Sequence, residues 1–301
     1  MKDRRSRLVF IPAIAALLCA ADASGLPPPQ WKPSKSDANI QAIGKRDVGK
    51  GLDFYSLEHE KQLGDMLAKQ VGKRAKFVGD DTIAVYVDRI GQMVARNSDV
   101  RMPVTFRVID DDSVRAFTLP GGYQYINRGL LLRIKSEAEL AGVLAHGIAH
   151  TALRSATKEA AQGDIVQMAM IPMMTSADWP GTAPRPAEAN VEAAKALYSY
   201  FNLGAKRTQE LAADYFGLQY VYVTGYDPEG YLDILERVST QTRSSAASTD
   251  VFSASPPLDQ RTEAMRKEIA KILPKRSDAV VSTPEFKEFQ EQVRAWKANP
   301  K

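Results

Sequence analysis

The sequence predicts an α+β fold that is mostly helical and contains one small β-sheet. Apolar residues recur at three- and four-residue spacing in several long segments, which is the period of an amphipathic helix. Two short segments between turn residues are instead rich in β-branched and aromatic residues, which is typical of strands. The 301-residue chain is 44% hydrophobic and 25% charged, so it can bury a sizeable core.

The first 50 residues predict a secretory signal followed by a linker. Residues 1–23 contain a basic start, an apolar stretch that begins at Leu8, and a small-residue cleavage site ending at Ala23. With about 14 apolar residues the segment is short for a bilayer span, and an uncleaved anchor is the alternative. Residues 24–50 are interpreted as a Pro-rich extended linker. We therefore expect a secreted or periplasmic protein without a transmembrane span in the mature chain; peripheral membrane contact is left open.

Residues 51–275 are predicted to form the folded domain, and its first half contains two helices and two strands. The apolar spacing predicts helices from Leu57 to Val71 and from Thr82 to Ala95. Val104 to Ile109 is β-branched and alternating, which indicates a strand. After a turn that contains two glycines, Tyr123 to Ile126 is predicted to be a second strand.

The regular elements predicted in the second half of the domain are all helices. A helix is expected to begin near Ser136, where Glu139 would complete a capping box. The same spacing argument predicts four helices here, over 136–154, 208–223, 229–238 and 257–273. Residues 276–301 are charged and helix-prone, and we interpret them as a peripheral helical tail.

The helix over 136–154 contains His146 and His150, which are four residues apart. Side chains at this spacing lie on one helix face, so both imidazoles can reach one metal ion. In the hydrolytic form of this motif, H-E-x-x-H, a glutamate follows the first histidine and acts as the general base. That position is Gly147 here. The sequence therefore predicts a metal site and argues against full hydrolytic activity in the same segment.

A catalytic zinc site needs three protein ligands and one open position for water. The chain contains three histidines, so the third ligand must be a carboxylate unless it is His59. Glu210 is the best candidate, because it lies on a separate predicted helix and can approach the histidines from across the core. Asp214, one turn further along, could accept the remaining N–H of a metal-bound histidine and fix the orientation of its ring.

Each of these residues also has an ordinary structural interpretation. The two histidines could be core residues, Glu210 could be a solvated helix residue, and Asp214 could belong to a structural ion pair. A purely structural zinc site is a further alternative, but the sequence offers no fourth ligand that would close it. A nucleic-acid partner is not expected, because no basic stripe with interleaved aromatic residues is visible.

Several separated segments occur in the order in which one group of metallopeptidases has them. They are 119–130, 139–150, 210–214, 225–228 and 256–261. On these segments the chain resembles the gluzincin metallopeptidases of the HtpX, BepA and CAAX prenyl protease kind, over about residues 51–273. The resemblance implies a zincin-like domain with the small sheet beside the active-site helix. It also implies one zinc ion on His146, His150 and Glu210, with Asp214 as the outer partner.

The resemblance further implies where a protein or peptide substrate would bind. Tyr123 to Ile126 resembles the edge strand that pairs with an extended peptide in these enzymes, a sequence-tolerant way to bind a chain. The substrate-binding candidates are accordingly Gly122, Tyr123, Gln124 and Tyr125.

Three positions depart from the family pattern. Gly147 replaces the base glutamate, and Ser155 and Ser255 stand where the family often has histidine. Neither Glu139, which is about 10 Å from His146 by helix rise, nor Glu159 is placed to act as a substitute base. The first hypothesis is a zinc metalloendopeptidase of the cell envelope that acts on proteins and is impaired by loss of its base. The alternative is a non-catalytic pseudo-peptidase that binds extended or unfolded polypeptides.

Overall fold

The computed structural model contains all six predicted helices and both predicted strands. It describes residues 31–51, 55–79, 81–158, 207–242 and 257–296, which all belong to one unit of the chain. The helices are α1 (Leu57–Arg74), α2 (Asp81–Arg96), α3 (Arg128–Leu131), α4 (Glu137–Leu153), α5 (207–224), α6 (Glu229–Thr242), α7 (Leu258–Ile272) and α8 (Pro284–Ala295). The strands are β1 (Thr105–Ile109), β2 (Ala116–Leu119) and β3 (Tyr123–Asn127). The described residues therefore form a mostly helical α+β domain with a three-stranded sheet.

The sheet has the strand order β1-β3-β2, so β3 is its central strand. β3 pairs in parallel with β1 and antiparallel with β2. The expectation that residues 123–126 form an edge strand is therefore wrong, because both sides of this backbone are already paired within the sheet. The sequence analysis also missed β2, whose four half-buried residues show no alternation that would mark a strand.

The outer edge of β2 is the open edge of the sheet among the described residues. The outer edge of β1 is instead covered by a short bridge between Phe77 and Ile109. Asn127 donates its backbone N–H to the carbonyl of Arg115 at 2.8 Å. This bond shows which opposed residues of β2 and β3 are hydrogen-bonded pairs and which are not. Hydrogen-bonded and non-hydrogen-bonded pairs alternate along an antiparallel ladder. The backbone N–H and C=O groups of Ala116 and Thr118 are therefore directed away from β3, toward the open edge.

α4 lies in the centre of the core, and all its residues except His150 are buried. The helix begins at Ser136, whose side chain accepts the N–H of Glu139 at 3.2 Å. The Glu139 carboxylate accepts the backbone N–H of Lys135 at 2.7 Å, one residue before the donor that a capping box uses. α5 approaches α4 closely at Gly217, where a Cβ would lie 3.2 Å from the backbone nitrogen of His146. This close approach brings the acidic residues of α5 beside the histidines of α4.

Residues 31–50, which make up most of the predicted linker, are packed against the domain, so the linker interpretation is wrong for this stretch. The ring of Trp31 makes an edge contact with Tyr215, with centroids 5.1 Å apart. Arg46 is buried and its guanidinium lies 2.6 Å from the carboxylate of Asp99. A solvated linker would not bury an ion pair of this kind.

The predicted peripheral tail is also wrong over α8, because this helix contributes to the core. Phe286, Phe289 and Val293 are buried on the inner face of α8. The ring of Phe289 stacks on that of Tyr86 in α2, with centroids 4.4 Å apart. The boundary expected at residue 275 therefore does not separate a tail from the domain.

Several predictions concern residues outside the described part of the chain. They include the signal segment 1–23, the first part of the linker, Glu159 and Ser255. Within the described residues, no helix combines the length and apolar character needed to cross a bilayer.

Candidate metal centre

The structure brings His146, His150 and Glu210 together at one point between α4 and α5. The Nε2 atoms of the two histidines are 3.1 Å apart. The carboxylate oxygens of Glu210 lie 3.5 Å from His146 Nε2 and 3.3 Å from His150 Nε2. A tetrahedral zinc ion with bonds of about 2.0–2.1 Å would hold its ligand atoms about 3.3–3.4 Å apart. The spacing and the two-nitrogen, one-oxygen donor set therefore fit zinc.

His59, the alternative third ligand, does not belong to this group. Its residue is exposed on α1, where its backbone N–H donates to Ser56 Oγ. Among the described residues, the group of three that could hold a metal ion is formed by the two α4 histidines and Glu210. The carboxylate that the sequence analysis favoured is thus the one that the structure places in position.

Asp214 lies on the outer side of the histidine pair, one turn after Glu210 on α5. Its Oδ1 atom is 3.1 Å from His146 Nδ1 and accepts the phenol of Tyr231 at 2.8 Å. A carboxylate at this place fixes the ring of a histidine whose other nitrogen faces the metal position.

Arg261 on α7 completes the centre, and the sequence analysis gave it no role. It is fully buried, and its Nε and Nη2 atoms donate to the two oxygens of Asp214, each at 2.6 Å. Its Nη1 atom lies 3.0 Å from Glu210 Oε2. One guanidinium therefore supports both carboxylates of the site. The only signal in the sequence was its place in the segment 256–261, which carries part of the family resemblance.

The charged groups of this cluster lower the pKa values of its two carboxyl groups and raise the pKa of His146. Burial raises the pKa of the Glu210 carboxyl, but Arg261 and His150 outweigh it and hold the net pKa well below the usual value. The pKa of Asp214 is lowered in the same way, because Arg261 and His146 outweigh the effect of burial. Burial lowers the pKa of His146, yet hydrogen bonds to Asp214 and Glu210 outweigh it and leave the net pKa raised. Both carboxylates are thus ionised and available to a cation.

Gly147 faces two side chains of the sheet. A Cβ at this position would lie 2.5 Å from Gln124 Oε1 and 2.9 Å from Thr118 Oγ1. Gln124 and Thr118 are paired residues of β3 and β2, so their side chains share the face that looks toward α4. The volume that a side chain at 147 would need is therefore occupied by the carboxamide of Gln124.

The site opens into a cavity of about 300 Å³ lined by β2, β3, α4 and the start of α5. Of the four predicted substrate residues, Gln124 and Tyr125 line this cavity, and Gly122 and Tyr123 are not among its lining residues. Gly122 instead adopts φ 83° where a Cβ would lie 2.2 Å from the carbonyl oxygen of Pro103, and the phenol of Tyr123 donates to Asp65. These two residues shape the turn and the α1 contact.

Glu60 is a cavity residue that the sequence analysis missed. It is buried on α1, and its Oε2 atom accepts Arg154 Nε at 2.7 Å and Thr157 Oγ1 at 3.4 Å. Nothing in the local sequence distinguishes it from its exposed neighbours, because its burial follows from the packing of α1. Glu139, considered as a substitute base, is held at the far end of α4 by Lys135 and Arg237.

Two packed helices that present two histidines and a glutamate beside a small sheet define a metallopeptidase-type centre. The chain belongs to peptidase family M48, because the profile of that family matches residues 83–269, more than half of the chain.

Curated relatives agree with this family. The putative β-barrel assembly-enhancing protease of Vibrio cholerae is 28% identical over 193 residues, 62% of this chain and 39% of that protein. The β-barrel assembly-enhancing protease of Yersinia pestis is 24% identical over 221 residues, 73% of this chain and 46% of that protein. The mitochondrial metalloendopeptidase OMA1 of Schizosaccharomyces pombe is 27% identical over 194 residues, 61% of this chain and 53% of that protein. The chain thus spans about half, or less, of the length of these relatives.

Proposed function

We propose that this chain binds one zinc ion through His146, His150 and Glu210 and acts on protein substrates, with hydrolysis impaired at Gly147. The observation that carries the proposal is the spacing of the three ligand atoms, which matches a tetrahedral ion. The curated relatives support the protein substrate, because their names describe proteases and an endopeptidase. A location in the cell envelope rests on the predicted signal in residues 1–23.

The protein's own residues would position the metal ligands. Asp214 orients the ring of His146, and Arg261 holds Asp214 and Glu210 in place through short, buried contacts. Zinc, when bound at such a site, activates water and polarises the carbonyl of the bond to be cleaved. No side chain at 147 is available to take a proton from that water. A positioned general base contributes roughly 10²–10⁴ in rate, which is the loss that we expect here.

Glu60 is the remaining carboxylate, besides Glu210, among the described residues that line the cavity. Its Oε2 atom is engaged by Arg154, which also donates to the backbone carbonyl of Tyr55. Because Arg154 occupies this oxygen, we do not assign Glu60 the role of base. A residual activity of the wild type would make Glu60 the first residue to test.

Extended substrate segments would pair with the outer edge of β2. This edge presents the backbone groups of Ala116 and Thr118 and lies beside the cavity, which Ala116 and Thr118 also line. Pairing with an open sheet edge uses backbone hydrogen bonds and accepts many sequences. This strand replaces residues 123–126, to which the family resemblance had assigned the same role.

A second candidate function is binding of extended or unfolded polypeptides without hydrolysis. The position of Gln124 favours it, because its carboxamide occupies the volume beside the metal position that a side chain at 147 would need. A glutamine side chain does not ionise and cannot replace a general base. The two candidates share the zinc site and the β2 edge and differ only in whether cleavage follows binding.

The test measures zinc content and casein hydrolysis on the same purified samples. Wild type is expected to contain one equivalent of zinc, and Glu210→Gln should retain less because an anionic ligand is lost. Hydrolysis is expected to be absent or slow in wild type and to rise in Gly147→Glu combined with Gln124→Ala. The matched control is Gly147→Gln with Gln124→Ala, which has the same shape without a carboxylate.

Each readout can contradict a different part of the proposal. Folded wild type that takes up no zinc would contradict the metal site. Rapid hydrolysis by the wild type would contradict the impairment, and its loss in Glu60→Gln would identify the base. Equal hydrolysis by the glutamate and glutamine double variants would show that a carboxylate at 147 is not what the site lacks.

A further inference from the structure

The apolar side chains of α1 lie on its outer surface rather than in the core. Glu60 and Gly64 are the buried residues of this 18-residue helix. Leu63, Met66 and Leu67 have the spacing of neighbours on one helix face, yet Met66 is 59% and Leu67 is 37% exposed. A helix that packs on a core by its apolar face shows the opposite pattern. The outer face of α1 therefore has the composition of a contact surface.

The inner face of α1 is fixed by its packing, so the helix cannot rotate to bury these side chains. Gly64 lies against the turn before β3, where a Cβ would be 2.1 Å from the carbonyl oxygen of Pro120. The buried carboxylate of Glu60 lies 2.7 Å from the guanidinium of Arg154. A rotation of α1 would break this ion pair and bring a larger side chain into the space that only glycine fits.

The C-terminal half of the outer face is basic. Lys69, Lys73 and Arg74 are exposed, and positions 66–79 contain no acidic residue. None of these three side chains makes an ion pair within the described part of the chain. Asp65, the nearest acidic residue along the helix, already pairs with a lysine of the preceding turn. Three positive charges beside an exposed apolar cluster match a partner that is both anionic and apolar.

We propose that the outer face of α1 binds the surface of an anionic lipid bilayer. The leucine and methionine side chains would enter the boundary between headgroups and acyl chains, and the basic residues would contact the phosphate groups. A helix that lies in the plane of the interface needs both kinds of side chain, and α1 exposes both. This binding needs neither zinc nor hydrolysis, so it goes beyond the proposed function.

Two other partners fit the same face less well. A second copy of the chain, bound through this face about a two-fold axis, would bring two sets of basic residues together. A nucleic acid would contact the basic residues and leave Met66 and Leu67 in water. Its bases would also find no platform, because α1 contains no phenylalanine, tyrosine or tryptophan. A lipid surface satisfies the charges and the apolar side chains at once.

Bilayer binding through this face would hold the metal cavity close to the membrane. Glu60, on the inner side of α1, lines that cavity. A helix is about 10 Å across, so this wall of the cavity would lie about that far from the headgroups. If the proposed function holds, the site would act on polypeptides at a membrane surface.

The experiment measures co-sedimentation of the full 301-residue chain with lipid vesicles. One population contains equal parts of phosphatidylglycerol and phosphatidylcholine, and the other contains phosphatidylcholine alone. Wild type is expected to prefer the anionic vesicles by roughly 100-fold, about fivefold for each basic residue. Added salt should reduce this preference, because it screens the charges.

Two variants of α1 separate the charged and the apolar contributions. Lys69→Gln, Lys73→Gln and Arg74→Gln together should abolish the preference for anionic vesicles. Met66→Gln with Leu67→Gln should keep the charge and weaken binding by about tenfold, because less apolar surface leaves water. All these side chains are on the protein surface, so circular dichroism and zinc content should match wild type.

The matched controls change the same kinds of residue on other surfaces. Val85→Gln replaces a valine of α2 that is 63% exposed. Lys267→Gln, Lys271→Gln and Lys275→Gln together remove three exposed lysines and the same net charge. Both controls should bind anionic vesicles as wild type does. Every protein keeps the same N-terminal segment, so a difference between variants comes from the altered face.

The outcomes distinguish this inference from the proposed function. Wild type that binds neither kind of vesicle, or binds both equally, would overturn the lipid surface. Equal binding by wild type and either α1 variant would do the same. A lipid-free dimer in light scattering that the α1 variants lose would show that a second copy covers this face. Wild type that binds anionic vesicles but takes up no zinc would contradict the proposed function alone.

Discussion

Arg261→Met is expected to destabilise the metal-free protein strongly, because it removes the cation that supports two buried carboxylates. Methionine resembles the aliphatic part of arginine but has no charge and no donors. In the wild type the guanidinium contacts both oxygens of Asp214 at 2.6 Å and lies 3.0 Å from Glu210. The substitution leaves both carboxylates inside the protein without this partner.

The magnitude follows from the burial of the group. Removing one partner of a buried ion pair typically costs about 3–5 kcal/mol, because the other charge stays behind without compensation. Arg261 is 0% exposed, so solvent does not screen the loss. The expected loss is large against a total stability of about 5–15 kcal/mol for a domain. Zinc would compensate part of it, because a doubly charged cation binds beside the same carboxylates.

The assay is urea unfolding followed by circular dichroism, once with a chelator and once with saturating zinc. We expect the loss of unfolding free energy to be about 3–5 kcal/mol without metal and clearly smaller with zinc. Arg266→Met is the matched control on the same helix, where an exposed arginine pairs with Glu236 and should contribute less than about 1 kcal/mol. A metal-free Arg261→Met protein within 1 kcal/mol of wild type would refute the reasoning, as would a loss that zinc does not reduce.

Three further predictions test other parts of the structure. Burial raises the pKa of Glu268 well above its usual value, so the folded state keeps a proton that the unfolded chain releases as pH rises above about 4.3. As pH rises, wild type should therefore lose unfolding free energy relative to Glu268→Gln, by about 1.4 kcal/mol per pH unit up to the pKa of the folded state. Urea midpoints of the two proteins that change in parallel between pH 5 and 7 would contradict this. Phe289→Ala should cost about 3–5 kcal/mol in urea unfolding, whereas exposed Lys287→Ala should be neutral; a loss below 1 kcal/mol would place α8 outside the core. Ala116→Pro removes an N–H that faces the open edge of β2, so it should weaken binding of unfolded casein while Ala116→Val does not; equal binding by both would exclude this edge.

The grouping of the candidate ligands was partly predictable because helix geometry relates residues that are close in sequence. Four-residue spacing fixes His146 and His150 on one face, and the same spacing places Asp214 one turn from Glu210. The scarcity of histidine then directed the search for a third ligand to a carboxylate. The contact between α4 and α5 was not a local property, and it was the order of the family segments that suggested it.

The order of the strands was not predictable from local sequence. The two-residue alternation of side chains along a strand shows which residues share a face of the sheet. It does not show which strand lies in the centre of the sheet. β2 was missed because Ala116–Leu119 is short and uniformly half-buried. Without β2, residues 123–126 were assigned to the edge of the sheet. That assignment was wrong, and so was the expected position of a bound peptide.

The roles of Glu60, Gln124 and Arg261 arise only when distant elements meet. Glu60 comes from α1, Gln124 from the centre of the sheet and Arg261 from α7, and each is buried beside α4 or α5. Their own sequence neighbourhoods show ordinary helix and strand patterns. Burial of a polar residue is informative once it is observed, but composition and periodicity do not reveal which polar residue will be buried.

The impairment of hydrolysis that we propose would depend on two residues, Gly147 and Gln124. Sequence alone directs attention to Gly147 and suggests that glutamate there would restore the reaction. The structure shows that a side chain at 147 meets Gln124 within 3 Å, so glutamate can reach the metal position only if Gln124 moves or is shortened. A single Gly147→Glu substitution that stays inactive would therefore not exclude a competent zinc site. The comparison of the two double variants does decide it, because both relieve the contact and only one supplies a carboxylate.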